Sequence, residues 1–150
     1  MVISKNKMNS GEYQINDGLL AMMKDGRKFL VGEVKEWLDC GNVKKCIAAN
    51  KAILYENNNN FVSKKIKLKN SKIIHPCYID EHVIIKDSFV GPYVSIGKGS
   101  EIINSSISNT IIQANSVIKN ADIEKSMIGN NCTYDGQGRE INIGDFSELI

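Results

Sequence analysis

The chain has 150 residues, 42% of them hydrophobic, with 19 Lys and Arg against 17 Asp and Glu. That length holds one ordinary domain or two small ones and supplies enough apolar residues for a core. The near-neutral charge argues against a dedicated nucleic-acid or membrane-surface role, and no apolar stretch reaches membrane length.

Met1 to Lys7 is polar and has no signal-peptide pattern, while Lys5 to Ser10 reads as the continuation of an earlier domain. Asn16 is placed to cap a helix through Leu19, Leu20, Met22 and Met23, with Gly26 just past its end. Lys28 to Val34 reads as a strand. Glu36-Trp37-Leu38-Asp39-Cys40-Gly41 follows, and Asn42 then caps a second helix with Val43, Cys46, Ile47, Ile53 and Leu54 on one face. Ala48 and Ala49 permit close packing there. The four cysteines, Cys40, Cys46, Cys77 and Cys132, form no Cys-x-x-Cys pair and match no zinc module. The expected setting is a reducing cytoplasm with free thiols, Cys77 and Cys132 serving as small apolar fillers.

Glu56 to Asn60 is a short low-complexity linker. Val62 to Lys72 alternates aliphatic residues with lysines, which predicts an edge strand. Lys64, Lys65, Lys67, Lys69 and Lys72 then either stay solvated and guard that edge against aggregation, or attract a phosphate or an acidic partner.

From about Lys72 to Tyr134 the chain repeats in sixes. Ile79-Asp80-Glu81-His82-Val83-Ile84, Val90-Gly91-Pro92-Tyr93-Val94-Ser95 and Ile96-Gly97-Lys98-Gly99-Ser100-Glu101 set the pattern. Ile112 to Val117, Ile118 to Ile123 and Ile128 to Thr133 continue it. Each unit opens on an aliphatic residue and carries a small or β-branched residue four positions later. A short strand plus a tight corner, three to a turn, makes a triangular prism. The openers stack inside it, and Gly or Asn at a corner tolerates positive φ. Phe89-Val90, Ile102-Ile103, Ile107-Ser108 and Ile111-Ile112 imply steps of five as well as six, with Ile103 standing where a corner glycine is expected. A sandwich of short alternating strands is the competing fold, but the stretch offers few of the turn signals a meander needs. Ile85, Val117 and Ile123 are expected on outer faces, for burial in an oligomer.

The repeats resemble the hexapeptide-repeat family, whose fold is a left-handed parallel β-helix. The region before them resembles the end of the catalytic domain of sugar-1-phosphate nucleotidyltransferases. That likeness rests on Gly11-Glu12-Tyr13-Gln14-Ile15-Asn16-Asp17, on Trp37-Leu38-Asp39-Cys40-Gly41, on Ala49-Asn50-Lys51-Ala52-Ile53-Leu54 and on the tail Asn142-Ile143-Gly144-Asp145-Phe146-Ser147-Glu148. The tail is similar to that of long glucose-1-phosphate thymidylyltransferase-like proteins. The expected fold class is mainly β: residues 1–56 a small α/β remnant of the catalytic domain, 57–71 a linker and edge strand, 72–150 the left-handed β-helix.

The resemblance implies transfer of a nucleotide from a nucleoside triphosphate to a sugar 1-phosphate, with release of pyrophosphate and with Mg²⁺ as the metal. It makes Asp39 one metal carboxylate, half of a site, and Trp37 a substrate contact. The residues themselves equally allow Asp39 as a turn or helix-cap carboxylate and Trp37 as a packing residue. The family's Gly-x-Gly-Thr-Arg-x-x-Pro nucleotide loop and the second metal Asp do not occur in these residues. No catalytic set is complete, so no turnover is expected from this chain alone, and no bound cofactor. The expected partners are further copies of itself, a trimer by resemblance; nucleotide and sugar phosphate bind only with the missing domain. The alternatives are a hexapeptide-repeat acyltransferase, using His82 or His75 as general base in a subunit groove, or a free-standing assembly module.

Overall fold

The computed structural model describes residues 14–34, 37–56 and 61–136. They fall into two compact units, one up to Trp37 and one from Leu38 onward.

In the first unit, α1 spans Ile15–Lys24. Its N-cap is Gln14, not Asn16, which lies inside the first turn. Gln14 keeps an extended backbone and its carbonyl accepts from the Asp17 and Gly18 amides at 3.1 and 3.4 Å. Asp17 sits where a negative charge complements the amino-terminal helix dipole. Gly26, at φ +81°, ends the helix in the left-handed conformation as expected. The strand expected over Lys28 to Val34 is not formed. Residues 27–34 have no regular structure, and the side chains of Leu30 and Val31 are fully exposed. A strand exists by pairing, and these residues meet no partner strand among the described residues. Of the α/β remnant expected over residues 1–56, the described residues form two helices, this one and a second at Val43–Glu56, and no strand. The motif residues Gly11 to Tyr13, Glu36, the linker residues Asn57 to Asn60 and the tail from Asn142 lie outside the described residues.

In the second unit, α2 spans Val43–Glu56, and Asn42 caps it by accepting the Lys45 amide at 3.0 Å on its Oδ1. Its buried residues are Ile47, Ala49 and Leu54. Ile53, expected on that face, is about half exposed, because it lies one residue and so some 100° around the helix from Leu54.

Short strands follow: β1 Phe61–Val62, β2 Lys67–Lys69, β3 Lys72–Ile73, β4 Cys77–Ile79, β5 Ile84–Lys86, β6 Phe89–Val90 and β7 Val94–Ile96. After them come β8 Glu101–Ile103, β9 Ser106–Ser108, β10 Ile111–Ile112, β11 Val117–Lys119, β12 Asp122–Glu124, β13 Met127–Ile128 and β14 Thr133–Asp135. They form three parallel sheets, ordered β1-β4-β7-β10-β13, β14-β11-β8-β5-β2 and β12-β9-β6-β3. Successive strands visit the three sheets in turn, so the chain winds a parallel β-solenoid of about four turns. Residues 61–71, expected as linker and edge strand, already belong to its first coil, in which Leu68 pairs with Ile85 and Ile73 with Val90.

The register explains the broken period. Phe61, Tyr78 and Ser95 share one column and are 17 residues apart; Ser95, Ile111 and Met127 continue it 16 apart. A coil is therefore built from steps of six and five. Ile79, Ile96 and Ile112 point inward from the first sheet, Ile85, Ile102 and Ile118 from the second, and Val90, Ile107 and Ile123 from the third. Ile85 and Ile123, expected outside, are thus core residues. The five-residue step from Ile118 to Ile123 keeps Ile123 inward, where an unbroken six would have turned it out. Val117 does face outward, though only partly exposed, and Ile103 is an outward strand residue whose following Asn104 makes the corner at φ 47°.

Five of the six fifth-position residues fill the narrow corners as expected, Val94 among them, and the sixth, Asp122, is exposed because the five-residue step turns Ile123 inward instead. Val83, Ser100, Ser116 and Cys132 are all buried, and Cys77 is as well. The four cysteines form no disulfide among the described residues, and burial pushes the Cys77 thiol up. No helix among the described residues is long and apolar enough to cross a membrane.

Candidate functional site

Asp39 stands just before α2 as the first carboxylate of interest. Its Oδ1 accepts the Gly41 amide at 2.9 Å, an Asx-type turn, and its Oδ2 pairs with the Lys45 ammonium at 2.5 Å. The Lys45 hydrogen bond, and behind it the Gly41 amide, hold the carboxyl below its usual range. Both oxygens are thus committed to the entry of α2, which is the turn-and-cap reading of this residue. Among the described residues no three His, Cys, Asp or Glu side chains gather to hold a metal ion. Mg²⁺ keeps several waters and takes one or two protein carboxylates, and Asp39 is a single carboxylate already held by Lys45 and the Gly41 amide. Trp37 belongs to the first unit and is 83% exposed.

The histidines are not drawn into a site. His75 is exposed, and His82 occupies a corner at φ 60° with its Nε2 3.8 Å from a Glu81 oxygen. Glu81 itself is the hub of a surface cluster. Lys65 from the coil before and Lys98 from the coil after donate to its two oxygens at 2.7 and 2.6 Å, and these bonds lower its pKa to about 2. Of the lysines in the first coil, Lys65 therefore serves an ion pair within the solenoid.

A different site emerges where α2 packs against the solenoid. Asn50 bridges the two: its Nδ2 donates to the Tyr93 carbonyl at 3.3 Å, and its Oδ1 accepts from the Ser95 hydroxyl at 2.6 Å. The Lys51 ammonium lies 4.9 Å above the centre of the Tyr93 ring. Beside this contact is a cleft of about 520 Å³. Its apolar side is Val43, Ile47, Ala48 and Met127, and its cations are Lys44, Lys51 and Lys125. Asn109 and Lys125 form its far wall from successive coils, 16 residues apart, and both adopt positive φ, 45° and 52°. That conformation is unusual for lysine. In the sequence Val43, Ile47 and Ala48 read as a packing face of the helix, and nothing links them to Asn109, Lys125 or Met127. The helix and the corner are joined only by the fold, and the signal available was Asn50, which the nucleotidyltransferase likeness had already singled out without a role.

No family profile matches the chain. In an alignment of 138 positions that covers 81% of the chain, it is 26% identical to the glucose-1-phosphate thymidylyltransferase of Streptomyces antibioticus. The chain spans 39% of the length of that enzyme. The β-solenoid agrees with the likeness to a β-helix-bearing carboxy-terminal portion, and the chain is a distant homologue of part of a glucose-1-phosphate thymidylyltransferase.

Proposed function

We propose that these residues are the carboxy-terminal portion of a nucleotide-sugar pyrophosphorylase, which joins a nucleoside triphosphate to a sugar 1-phosphate and releases pyrophosphate. In this proposal the solenoid has the left-handed winding of hexapeptide-repeat prisms, supplies assembly or regulation, and works in the cytoplasm. The observation that carries it is the thymidylyltransferase likeness over 81% of the chain, running through a solenoid of the kind such a portion would form. Asp39 is a metal carboxylate only if further ligands come from outside the described residues and it releases Lys45. Trp37, exposed here, is free to meet substrate only in that larger setting.

The acyltransferase alternative is less favoured. Coils that close in 16 or 17 residues leave no room for a long inserted loop between residues 61 and 136, and among the described residues the ion-pair contact of His82 is with Glu81 alone.

The test is pyrophosphate exchange on the purified 150-residue chain with Mg²⁺, nucleoside triphosphate and glucose 1-phosphate. No sustained turnover is expected. Sustained, metal-dependent turnover would overturn the assignment of an assembly or regulatory role to these residues.

A further inference from the structure

Cys40 and Cys46 meet at the entry of α2. Cys40 stands two residues before the cap residue Asn42, and Cys46 lies in the first turn of the helix. The Cys46 thiol donates to the Cys40 carbonyl at 3.2 Å, and the two thiols are in hydrogen-bond contact with each other. The cap produces this meeting. Asn42 accepts the Lys45 amide on its side chain and the Cys46 amide on its carbonyl, at 3.0 and 2.9 Å, so the chain turns sharply into the helix. Residues just before a cap then pack against the end of the first turn.

The pair differs from the other two cysteines. Cys77 and Cys132 are buried in separate corners of the solenoid, whereas Cys40 is exposed and Cys46 only partly covered. Nor does the pair belong to a metal centre: among the described residues no three His, Cys, Asp or Glu side chains gather, and a structural zinc ion takes four ligands. Two thiols in contact, one of them open to solvent, have the arrangement of an attacking and a resolving cysteine.

We infer that Cys40 and Cys46 form a redox pair, a site of oxidative modification at which a peroxide closes a disulfide across the entry of α2. The exposed Cys40 sulfur, as thiolate, attacks one peroxide oxygen. An S–O bond forms, the O–O bond breaks, and the departing hydroxide takes up the Cys40 proton as water. The Cys46 sulfur then attacks the Cys40 sulfur; the S–S bond forms, the S–O bond breaks, and the Cys46 proton leaves with the hydroxyl as a second water. Two thiols are oxidised by two electrons, and one peroxide is reduced to two waters. The closed ring spans residues 40–46 and encloses the Asn42 cap. It exchanges the thiol–carbonyl hydrogen bond for a covalent link and stiffens the first turn of α2. The inference stands apart from the pyrophosphorylase reading.

The test treats the reduced 150-residue chain with a slight excess of hydrogen peroxide. Two of the four thiols should be lost, the mass should fall by two hydrogens, and trypsin should release a fragment joining Cys40 to Cys46, which cleavage after Lys44 and Lys45 otherwise separates. Dithiothreitol should restore both thiols. Cys46→Ser keeps a donor for the Cys40 carbonyl but removes the resolving sulfur, so dimedone should trap sulfenic acid on Cys40 at least about tenfold more than in the wild type. In a glutathione redox buffer the folded chain should favour the disulfide about tenfold more than the same chain in urea, because the helix entry holds the sulfurs together. The Lys45 and Cys46 amides should exchange hydrogen more slowly once oxidised. Three results would overturn the pair: oxygen added to Cys40 with no linked fragment, a disulfide that maps to Cys77, Cys132 or a second chain, or a folded chain no readier to form the bond than the unfolded one. None of these measurements reads turnover, so their failure leaves the pyrophosphorylase reading untouched.

Discussion

Ser116 shows how a single small side chain holds two coils together. It is fully buried; its hydroxyl donates to the Gly129 carbonyl at 2.7 Å and accepts the Cys132 amide at 3.1 Å, while its own amide donates to Ser100 Oγ. Ser116→Ala leaves the Cys132 amide and the Gly129 carbonyl without these partners in a dry corner. A loss of about 1–3 kcal/mol is expected, measured by urea denaturation. Ser88 and Ser105 repeat the device at another corner, where Ser105 and Ala121 amides donate to the hydroxyl of the coil before. The small fifth position was legible from sequence as a steric requirement; its hydrogen-bonding role was not, because its partners lie in the next coil, 13 to 17 residues along the chain.

Glu81 carries the pH dependence at the same scale. Its folded pKa is held near 2 by Lys65 and Lys98, against an ordinary value of 4.5. The folded state therefore favours the carboxylate. The stabilising contribution is complete above about pH 4.5 and is lost as pH falls from there through about 2. A difference in melting temperature between the wild type and Glu81→Gln should be present at neutral pH and vanish below about pH 2. Salt should shrink it at every pH, since the cluster is on the surface.

At the scale of elements, α2 is fastened by more than its apolar face. Ile47, Ala49 and Leu54 are buried, but Asn50 fixes where along the solenoid the helix sits, through Tyr93 and Ser95. Asn50→Ala removes both bonds and should cost roughly 1–3 kcal/mol in the local stability of α2. Hydrogen exchange should report it as faster exchange in α2 with the solenoid amides unchanged, because those are secured by their own ladders. The helix cap at Asn42 was readable because capping is a local interaction of side chain and backbone three residues apart. The cap of α1 was misplaced by two residues for the complementary reason: Asn16 has the right chemistry, but no side-chain cap bond forms and the chain enters the helix at Gln14. The strand expected over Lys28 to Val34 depended on a sheet that no local pattern can supply.

At the scale of the whole molecule, the repeat made the solenoid legible, because inward stacking of Ile79, Ile96 and Ile112 imposes a period on the sequence. The five-residue steps hid which of two adjacent aliphatics turns inward. Ile84 and Ile85 are indistinguishable in composition, and only the pairing of Ile85 with Ile102 decides between them. The cleft was invisible because its parts come from Val43 at one end and Met127 at the other. With Ile85 and Ile123 inside, outward apolar surface is carried by Phe61, which stacks on Tyr78 with ring centres 5.2 Å apart, and by Leu68 and Phe89. Such surface suits burial between copies, and a homotrimer is the assembly expected of the proposed role. Light scattering should return three times the chain mass of 16.7 kDa. A monomer at all accessible concentrations would refute the assembly role.

The spacing of the coils has a kinetic consequence. Each ladder joins residues only 16 or 17 positions apart, so the mean separation of paired residues is about 0.11 of the chain length, a value typical of helical bundles. All-β proteins usually fold slowly because their strands must find distant partners. Here a coil need only find the turn wound just before it, so ordering can begin at any rung and travel along the axis. The solenoid is therefore expected to fold with the speed of a helical protein while having the architecture of a sheet.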